Sequence, residues 1–340
     1  MDKNKSDSYV ENCNNNINKN SNKRRESSKN NYCNVGGQAL IEGLLMIGPQ
    51  KAATAIRKSD GEIVVEKKNL PPKDIYSKIP FVRGVFNFVR QMVFGMKALM
   101  YSAEFMDIED DSLEPSKFDK FVERLLGDKF KEAAIYFSVF IAIILGISLF
   151  MLLPNFLADF FKGIDKTTRG GVIQRNLLEG IIRLVIFLCY LFLASRLNDI
   201  KRVWQYHGAE HKTIHCYENK EELTIENVQK YSTKHPRCGT SFLFIVMIVS
   251  IIVFSFAGWH NRWINLLLRL LLIPVVAGIS YELLKLAGNS KNKIVGLINY
   301  PGMALQLLTT KQPDDDQVEV AIAALNSVLK EDEAGERHEN

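Results

Sequence analysis

The sequence predicts a mainly α-helical membrane protein with about four spans and a small α+β portion outside the bilayer. The first observation is that four segments are long and apolar enough to cross roughly 30 Å of hydrocarbon, which takes about 20 residues of helix. The second is that the charged residues, 24% of the chain, lie mostly outside these segments. The segments are 133–158, 177–197, 241–259 and 264–284.

The N-terminal residues are expected to have no fold of their own. Residues 1–33 are mostly Asn, Lys, Ser and Asp, so they offer too little apolar surface to offset the entropy of ordering. They also lack the apolar core of a secretory signal. We therefore predict a disordered polar tail.

Residues 34–131 are predicted to fold beside the membrane and to contain a β-hairpin. Strand-like runs at 54–57 and 63–66 flank the turn residues Ser59-Asp60-Gly61. Short strands around a turn of this type favour a hairpin, here over 53–67.

An amphipathic helix is predicted over 81–104. Its apolar residues recur at helical spacing, and Arg83, Arg90 and Lys97 lie seven apart on another face. Such a helix can lie in the headgroup plane with its basic face toward phosphates. It can equally pack as an ordinary amphipathic helix on the cytoplasmic portion, and the sequence leaves both open.

Residues 132–286 form the predicted transmembrane domain. The first and third spans carry no charged residue. In the second span Glu179 and Arg183 are four residues apart, so they can pair on one helix face. The fourth span holds Arg269 near one end and Glu282 near the other.

The distribution of Lys and Arg predicts the orientation of the spans. The loop at 196–240 carries eight such residues, whereas the turn between the last two spans carries one, Arg262. Because positive charge is retained inside, both termini and this loop are expected on the cytoplasmic side of the plasma membrane. Four basic residues in 159–176 weaken this bias without reversing it.

The C-terminal segment is predicted to carry one more amphipathic helix. Within 287–331, an apolar stripe runs over 316–329, and Pro313 with a run of Asp marks the helix start. An acidic tail follows at 332–340.

Cysteine usage and charge exclude two classes of protein. The five cysteines are odd in number and scattered, which is not the framework of a disulfide-rich domain and fits a reducing compartment. No arginine–aromatic stripe or known motif suggests nucleic acid, so nucleic acid is not an expected partner.

A histidine cluster provides the strongest functional signal. His207, His211 and His215 are spaced i, i+4, i+8, so in a helix consecutive pairs project from roughly the same face. Two imidazoles one turn apart are well placed to bind one metal ion, and neutral ring nitrogens suit zinc, iron, nickel or copper. The plainer alternative is that these histidines cap helices, pair with phosphates or are solvated.

The predicted topology brings further donors to the same depth. His235 and Cys238 lie just before the third span, and Glu282 lies near the cytoplasmic end of the fourth. A His and a Cys separated by two residues can converge on one metal, with the thiolate as a soft ligand. Ionisable groups at such a depth are candidates for function.

The same run contains an inverted zincin pattern, H-x-x-E-H. In that pattern His207 and His211 hold the metal and Glu210 acts as the general base. A downstream group such as Cys238, His235 or Glu282 completes the shell, and Arg237 could neutralise an anionic substrate. Gly208 is a poor helix former, which weakens the pattern.

Five separated runs of the sequence form a recognisable set. They are GGQALIEG at 36–43, YHGAEHK at 206–212, HPRCGTS at 235–241, PVVAGISYE at 274–282 and YPGM at 300–303. In this order they resemble the YqhQ-like family, a bacterial membrane family of unknown function described as predicted metal-dependent enzymes, and the resemblance covers residues 34 to 330. It implies a membrane location and a metal site, and it points to Glu42 and Glu282 as site candidates because both lie in family motifs.

Three functions remain open from the sequence. The leading one is a metal-dependent hydrolase at the cytoplasmic membrane face, with a divalent transition metal, zinc by expectation, and an unknown substrate. The second is a metal-binding regulator or scaffold without catalysis. The third, a transporter, is less favoured because the ionisable residues cluster at span ends and no internal repeat is visible. The lipid bilayer is the only partner the sequence identifies.

Overall fold

The computed structural model describes residues 35–71, 79–105, 130–161, 163–164, 167–258, 260–289 and 293–329. The predicted fold class is confirmed, because these residues form mainly helices, with a small antiparallel sheet near the N-terminus. The tails predicted at 1–33 and 332–340 lie outside the described residues.

The sheet is larger than the predicted hairpin. Its order is β1-β2-β3-β4, and all neighbours are antiparallel. The hairpin expected over 53–67 is the β3–β4 half, and the first two strands lie before it in the chain. The strands are β1 (Gly36–Leu40), β2 (Gly43–Ile47), β3 (Lys51–Arg57) and β4 (Ile63–Asn69).

Most of the other described residues form helices. In chain order they are α1 (Val82–Glu104), α2 (Phe130–Ile147), a π-helical turn (Ser148–Leu152), α3 (Leu153–Ala158), α4 (Arg169–Ala194), α5 (Asn198–Glu218), α6 (Ile225–Gln229), α7 (Gly239–Phe256), α8 (Arg262–Asn289), α9 (Lys293–Thr309) and α10 (Asp315–Leu329).

Four helical stretches of the described chain are long and apolar enough to cross a membrane, which fits a multi-pass membrane protein. They agree with the four predicted spans, although the second begins earlier than expected. The earlier start brings Arg175 into the helix, and its guanidinium pairs with Asp159 at 2.8 Å. The stretches are Phe137–Ala158, Arg169–Ala194, Gly239–Phe256 and Trp263–Leu286.

Buried charges join two of these spans, α4 and α8. The predicted pair is present: Arg183 Nη2 donates to Glu179 Oε1 at 2.9 Å. Arg269 of α8 also donates to the Glu179 carboxylate, at 2.7 Å to Oε2. Because all three side chains are buried, the network satisfies charges that would otherwise be costly at this depth.

The sheet is covered on both faces outside the spans. Successive residues of a strand point to opposite faces, so Leu44 and Met46 face α5 and α10, whereas Leu45 faces α1. The α10 helix agrees with the amphipathic helix predicted at 316–329. The loop predicted at 196–240 is mostly helical, and α5 forms its buried part.

Helix α1 has features of both predicted alternatives. Its small residues Gly84, Gly95 and Ala98 are buried, and the helix packs on α8 and on the sheet. Its bulky apolar residues, including Phe86 and Met92, are exposed. The helix therefore packs on the folded portion and also presents an apolar outer face.

Candidate metal centre

Helix α5 presents three of the predicted site residues on one buried face. Glu210 and His211 follow His207 by about one turn, at i+3 and i+4, so all three lie on one side of the helix. The helix accepts a glycine here because it passes very close to the backbone after α9. A Cβ on Gly208 would lie 2.0 Å from the carbonyl oxygen of Lys311.

Cys238 brings a thiol to this face from the N-cap of α7. Its Sγ lies 3.1 Å from His207 Nε2. The ligand atoms of His207, His211 and Cys238 all lie within 4.8 Å of one another. The structure therefore brings together two imidazoles and one thiol of the predicted ligand set.

Main-chain carbonyls fix the tautomers of both imidazoles. His207 Nδ1 lies 2.8 Å from Thr309 O, and His211 Nδ1 lies 2.5 Å from Thr233 O. A carbonyl oxygen can only accept, so each Nδ1 carries a proton and each Nε2 keeps a lone pair. Metal-binding histidines in proteins commonly have this arrangement.

These residues fit a zinc-type ion. Two imidazole nitrogens and one thiolate are ligands that zinc prefers, and three protein ligands leave one position open for substrate chemistry. Among the described residues, His211 Nε2 is buried and has no hydrogen-bond partner. A buried nitrogen lone pair without a partner is costly, and a metal ion at this point would satisfy it.

Glu210 lies beside this group in a tight environment. Its carboxyl accepts a hydrogen bond from the Gly37 backbone, and a Cβ on Gly37 would lie 3.1 Å from Glu210 Cδ. Burial raises the pKa of this carboxyl, although His207 and the Gly37 hydrogen bond act in the opposite direction. A raised pKa makes its carboxylate a stronger proton acceptor.

Two other predicted ligands belong to a second group. His215 and His235 lie with Glu218 so that their ligand atoms are within 4.8 Å of one another. The Arg237 backbone N–H donates to His235 Nδ1 at 3.3 Å, which leaves the proton of neutral His235 on Nε2, 3.6 Å from Glu218. Arg237 also pairs with Glu218, so a positive charge already lies beside this group and disfavours a second cation there.

Both histidines of the second group are neutral at physiological pH. Burial lowers the pKa of His235 to about 4. It also lowers the pKa of His215, whose Nε2 donates to Lys234 O at 2.8 Å. Neither imidazole therefore adds positive charge beside the group formed by His207, His211 and Cys238.

The two acids suggested by family resemblance have other neighbours. Glu42 lies in the turn between β1 and β2, where its carboxylate pairs with Arg202 and accepts from Tyr206 Oη at 3.3 Å. Glu282 pairs with Arg83, which fastens α8 to the start of α1. The structure therefore does not bring either acid into the group of His207, His211 and Cys238.

A cavity of about 410 Å³ adjoins the group. It lies between the sheet, α1, α5, α7 and α8, and its size is typical of sites for small ligands. His207, Glu210, His211 and Cys238 all line it. Other lining residues are Gly37, Asn87, Phe88, Gln91, Arg237, Phe242 and Tyr281.

Sequence reasoning missed several groups that build the site. Thr233 and Thr309 contribute main-chain carbonyls, which no side-chain pattern reveals. Gln306 of α9 holds the His235 backbone by two hydrogen bonds of 2.8 Å. In the sequence, only the position of Gln306 shortly after the YPGM run could have pointed to it, and we predicted no helix there.

Comparison with known proteins gives a family and no activity. A family model described as "Protein of unknown function (DUF1385)" matches residues 79–331. The "Uncharacterized protein YqhQ" of Bacillus subtilis (strain 168) is 37% identical over 316 residues, covering 89% of this chain and 95% of that protein. No solved structure matches.

Proposed function

Because this chain belongs to the DUF1385 family of proteins of unknown function, we propose its activity from its own site, as a metal-dependent hydrolase at a membrane surface. The observation that carries the proposal is the convergence of one ligand atom each from His207, His211 and Cys238 beside a cavity. Both imidazoles are oriented by carbonyls, as a metal site requires.

Zinc is the metal that this donor set favours. When bound, it would supply a Lewis acid that polarises an ester carbonyl or a phosphoryl oxygen. His207, His211 and Cys238 would hold it, and the cavity lies on the side where substrate would approach.

Glu210 would act as general base and then as general acid. Its carboxylate takes a proton from the attacking water while the water oxygen bonds to the carbonyl carbon or phosphorus. The bond to the leaving oxygen then breaks, and the Glu210 carboxyl returns the proton to that oxygen. Arg237 lines the same cavity and would orient an anionic substrate, although Glu218 already engages part of its guanidinium.

The protein would work in the plasma membrane with both termini in the cytoplasm. Positive charge in the loop at 196–240 supports this orientation. The site lies where α7 begins, and α1, whose apolar outer face is exposed, lines the same cavity. An apolar helix face at this level suits the boundary between headgroups and acyl chains, so the bilayer itself is the expected partner.

Metal analysis tests this proposal directly. The full chain, purified in nanodiscs, should contain about one equivalent of a divalent transition metal, as three protein ligands around one open position predict. His211→Ala should lose it, whereas His260→Ala, which removes an imidazole outside both groups, should keep it. Metal-free wild-type protein, or equal metal in His211→Ala and wild type, would overturn the proposal.

A structural metal site without catalysis is the second candidate, and one observation favours it. The carbonyls that orient His207 and His211 belong to two other segments, after α6 and at the end of α9. A metal there would lock α5 to both segments, as a structural or sensing site does. Glu210→Gln distinguishes the two functions when turnover of fluorogenic acyl-ester or phosphodiester substrates is measured. If the variant keeps its metal but loses the turnover seen in the wild type, the hydrolase is supported. If even the wild type shows no turnover, the structural metal site is supported.

A further inference from the structure

A second cavity lies within the membrane-spanning part of the molecule. It measures about 210 Å³ and is bounded by α4, α7, α8 and the π-helical turn before α3. Apart from Arg183 and Ser250, its walls are apolar. Most of the wall is formed by Phe150, Met151, Val246, Met247, Val276 and Ala277.

Two phenylalanine rings separate this cavity from the metal centre. Phe88 of α1 and Phe242 of α7 line both cavities. Their ring centroids lie 5.9 Å apart and the ring planes are tilted by 40°. Phe242 lies one helical turn after Cys238, so the two rings are close to the candidate metal ligands.

The apolar cavity extends deep along α7. Its lining residues on this helix run from Phe242 to Phe254. At 1.5 Å per residue this stretch covers roughly 18 Å, more than half of a hydrocarbon core of about 30 Å. The cavity is therefore elongated along the direction in which lipid chains lie.

The far end of the cavity is closed by an arginine whose charge is already satisfied. Arg183 Nε donates to Phe150 O at 2.8 Å, Nη1 to Ser250 Oγ at 3.2 Å, and Nη2 to Glu179 at 2.9 Å. Each guanidinium nitrogen thus has a partner, so the cavity makes no demand for an anionic occupant. An uncharged chain is the ligand that such walls fit.

We infer that the substrate is a membrane amphiphile whose alkyl chain enters the apolar cavity once the touching rings of Phe88 and Phe242 turn aside, with its polar end at the metal centre. This inference rests on the proposed function and adds the substrate class. The first cavity carries the candidate ligands, Glu210 and Arg237, and the one directly beyond it is almost entirely apolar, so together they match the two parts of such a molecule.

The cavity would position the chain rather than attract it. An alkyl chain in a bilayer is already in an apolar medium, so moving it into the protein gains little from the hydrophobic effect. The gain is orientation, because holding the chain fixes the polar end against Glu210 and the candidate ligands. Chain length and shape should therefore decide which amphiphiles are substrates.

Photolabelling tests the inference with a defined probe. A palmitic acid analogue carrying a diazirine near the chain end is added to the full-length protein in nanodiscs, and labelled residues are mapped by mass spectrometry. We expect labels on Val246, Met247 and Val276. Ala277→Phe, which fills the cavity, should reduce them at least tenfold, whereas Val275→Phe on the exposed face of the same helix should not.

Two further measurements keep the result interpretable. The smaller substitution Ala277→Leu should give an intermediate loss, and both variants should keep the wild-type metal content if they fold. Labels confined to exposed residues such as Leu271, or labels unaffected by Ala277→Phe, would overturn the inference. Wild-type protein without metal would instead overturn the proposed function, since labelling does not require the metal.

Discussion

His207 Nε2 lies 3.1 Å from Cys238 Sγ although the two residues are 31 positions apart in the sequence. Helix α5 supplies the imidazole and the N-cap of α7 supplies the thiol. These segments approach each other only in the folded chain. The contact between the two side chains therefore exists only when the whole site is assembled.

Cys238→Ser should weaken metal binding without unfolding the protein. The hydroxyl is nearly isosteric with the thiol but is a poorer ligand for zinc, because zinc prefers a thiolate. We expect the affinity for the metal to fall by at least about 100-fold. Mutating a residue that only supports a metal ligand lowers the affinity by up to about this factor. Competition with a chromophoric chelator measures it.

Cys189→Ser is the matched control, since Cys189 is an exposed thiol in the second span. It should bind metal as the wild type does. Equal affinities for the Cys238 and Cys189 variants would remove the thiol from the site and leave two imidazoles, too few for a closed or catalytic zinc site.

Metal binding should strengthen as the pH rises. Burial raises the pKa of the Cys238 thiol to about 12, so the metal-free thiol keeps its proton at neutral pH. Burial lowers the pKa of His211, which therefore holds no extra proton to lose. Since the bound form is a thiolate, one proton leaves per metal, and log K should rise by about one for each pH unit between pH 7 and 9.

Calorimetry in two buffers of different ionisation enthalpy counts the released protons independently. The wild type should release about one proton per metal from this thiol, and Cys238→Ser should release none. A pH-independent affinity in the wild type would contradict coordination by Cys238.

The sequence predicts those parts of the fold that follow from local pattern. The length and apolarity of each span suffice to locate four membrane helices, and the i, i+4 spacing of His207 and His211 indicates a helix that the structure confirms as α5. The β3–β4 hairpin is visible because Ser59-Asp60-Gly61 is strong turn chemistry.

The remaining parts depend on tertiary contacts that no local pattern encodes. Strands β1 and β2 have only five residues each, and one face of them is buried by contacts with α5 and α10 that lie far away in the sequence. Glu282 seemed to share a depth with Cys238, but depth alone does not fix direction, and its carboxylate turns to Arg83. The carbonyls of Thr233 and Thr309 orient the imidazoles through backbone groups that every residue carries.

Gly37→Ala should impair catalysis while metal binding persists. A Cβ at this position would lie 2.6 Å from Leu45 O and 3.1 Å from Glu210 Cδ, so the strand or the carboxylate must shift. A displacement of about 1 Å in a catalytic group can cost roughly 100-fold in rate. Turnover of the fluorogenic esters and metal content are measured together.

Gly36→Ala is the control for that substitution, since a Cβ on Gly36 meets nothing within 4 Å. It should keep both turnover and metal. If the two alanine variants hydrolyse the esters equally well, the position of Glu210 does not limit the reaction and its role as general base fails.

Glu179→Gln should destabilise the membrane domain without affecting the metal. The substitution removes the negative charge that Arg183 and Arg269 share while leaving both guanidinium groups buried. Removing one partner of a buried ionic network costs about 3–5 kcal/mol, because the remaining charges are left uncompensated. Thermal unfolding in nanodiscs should show a melting temperature lower by several degrees, with unchanged metal content after purification. Glu62→Gln is the control, since its pair with Lys58 is exposed and exposed pairs contribute little to stability. Equal melting temperatures for the two variants would mean that the network is solvated, and the assignment of α4 and α8 as spans packed around a buried carboxylate would have to be abandoned.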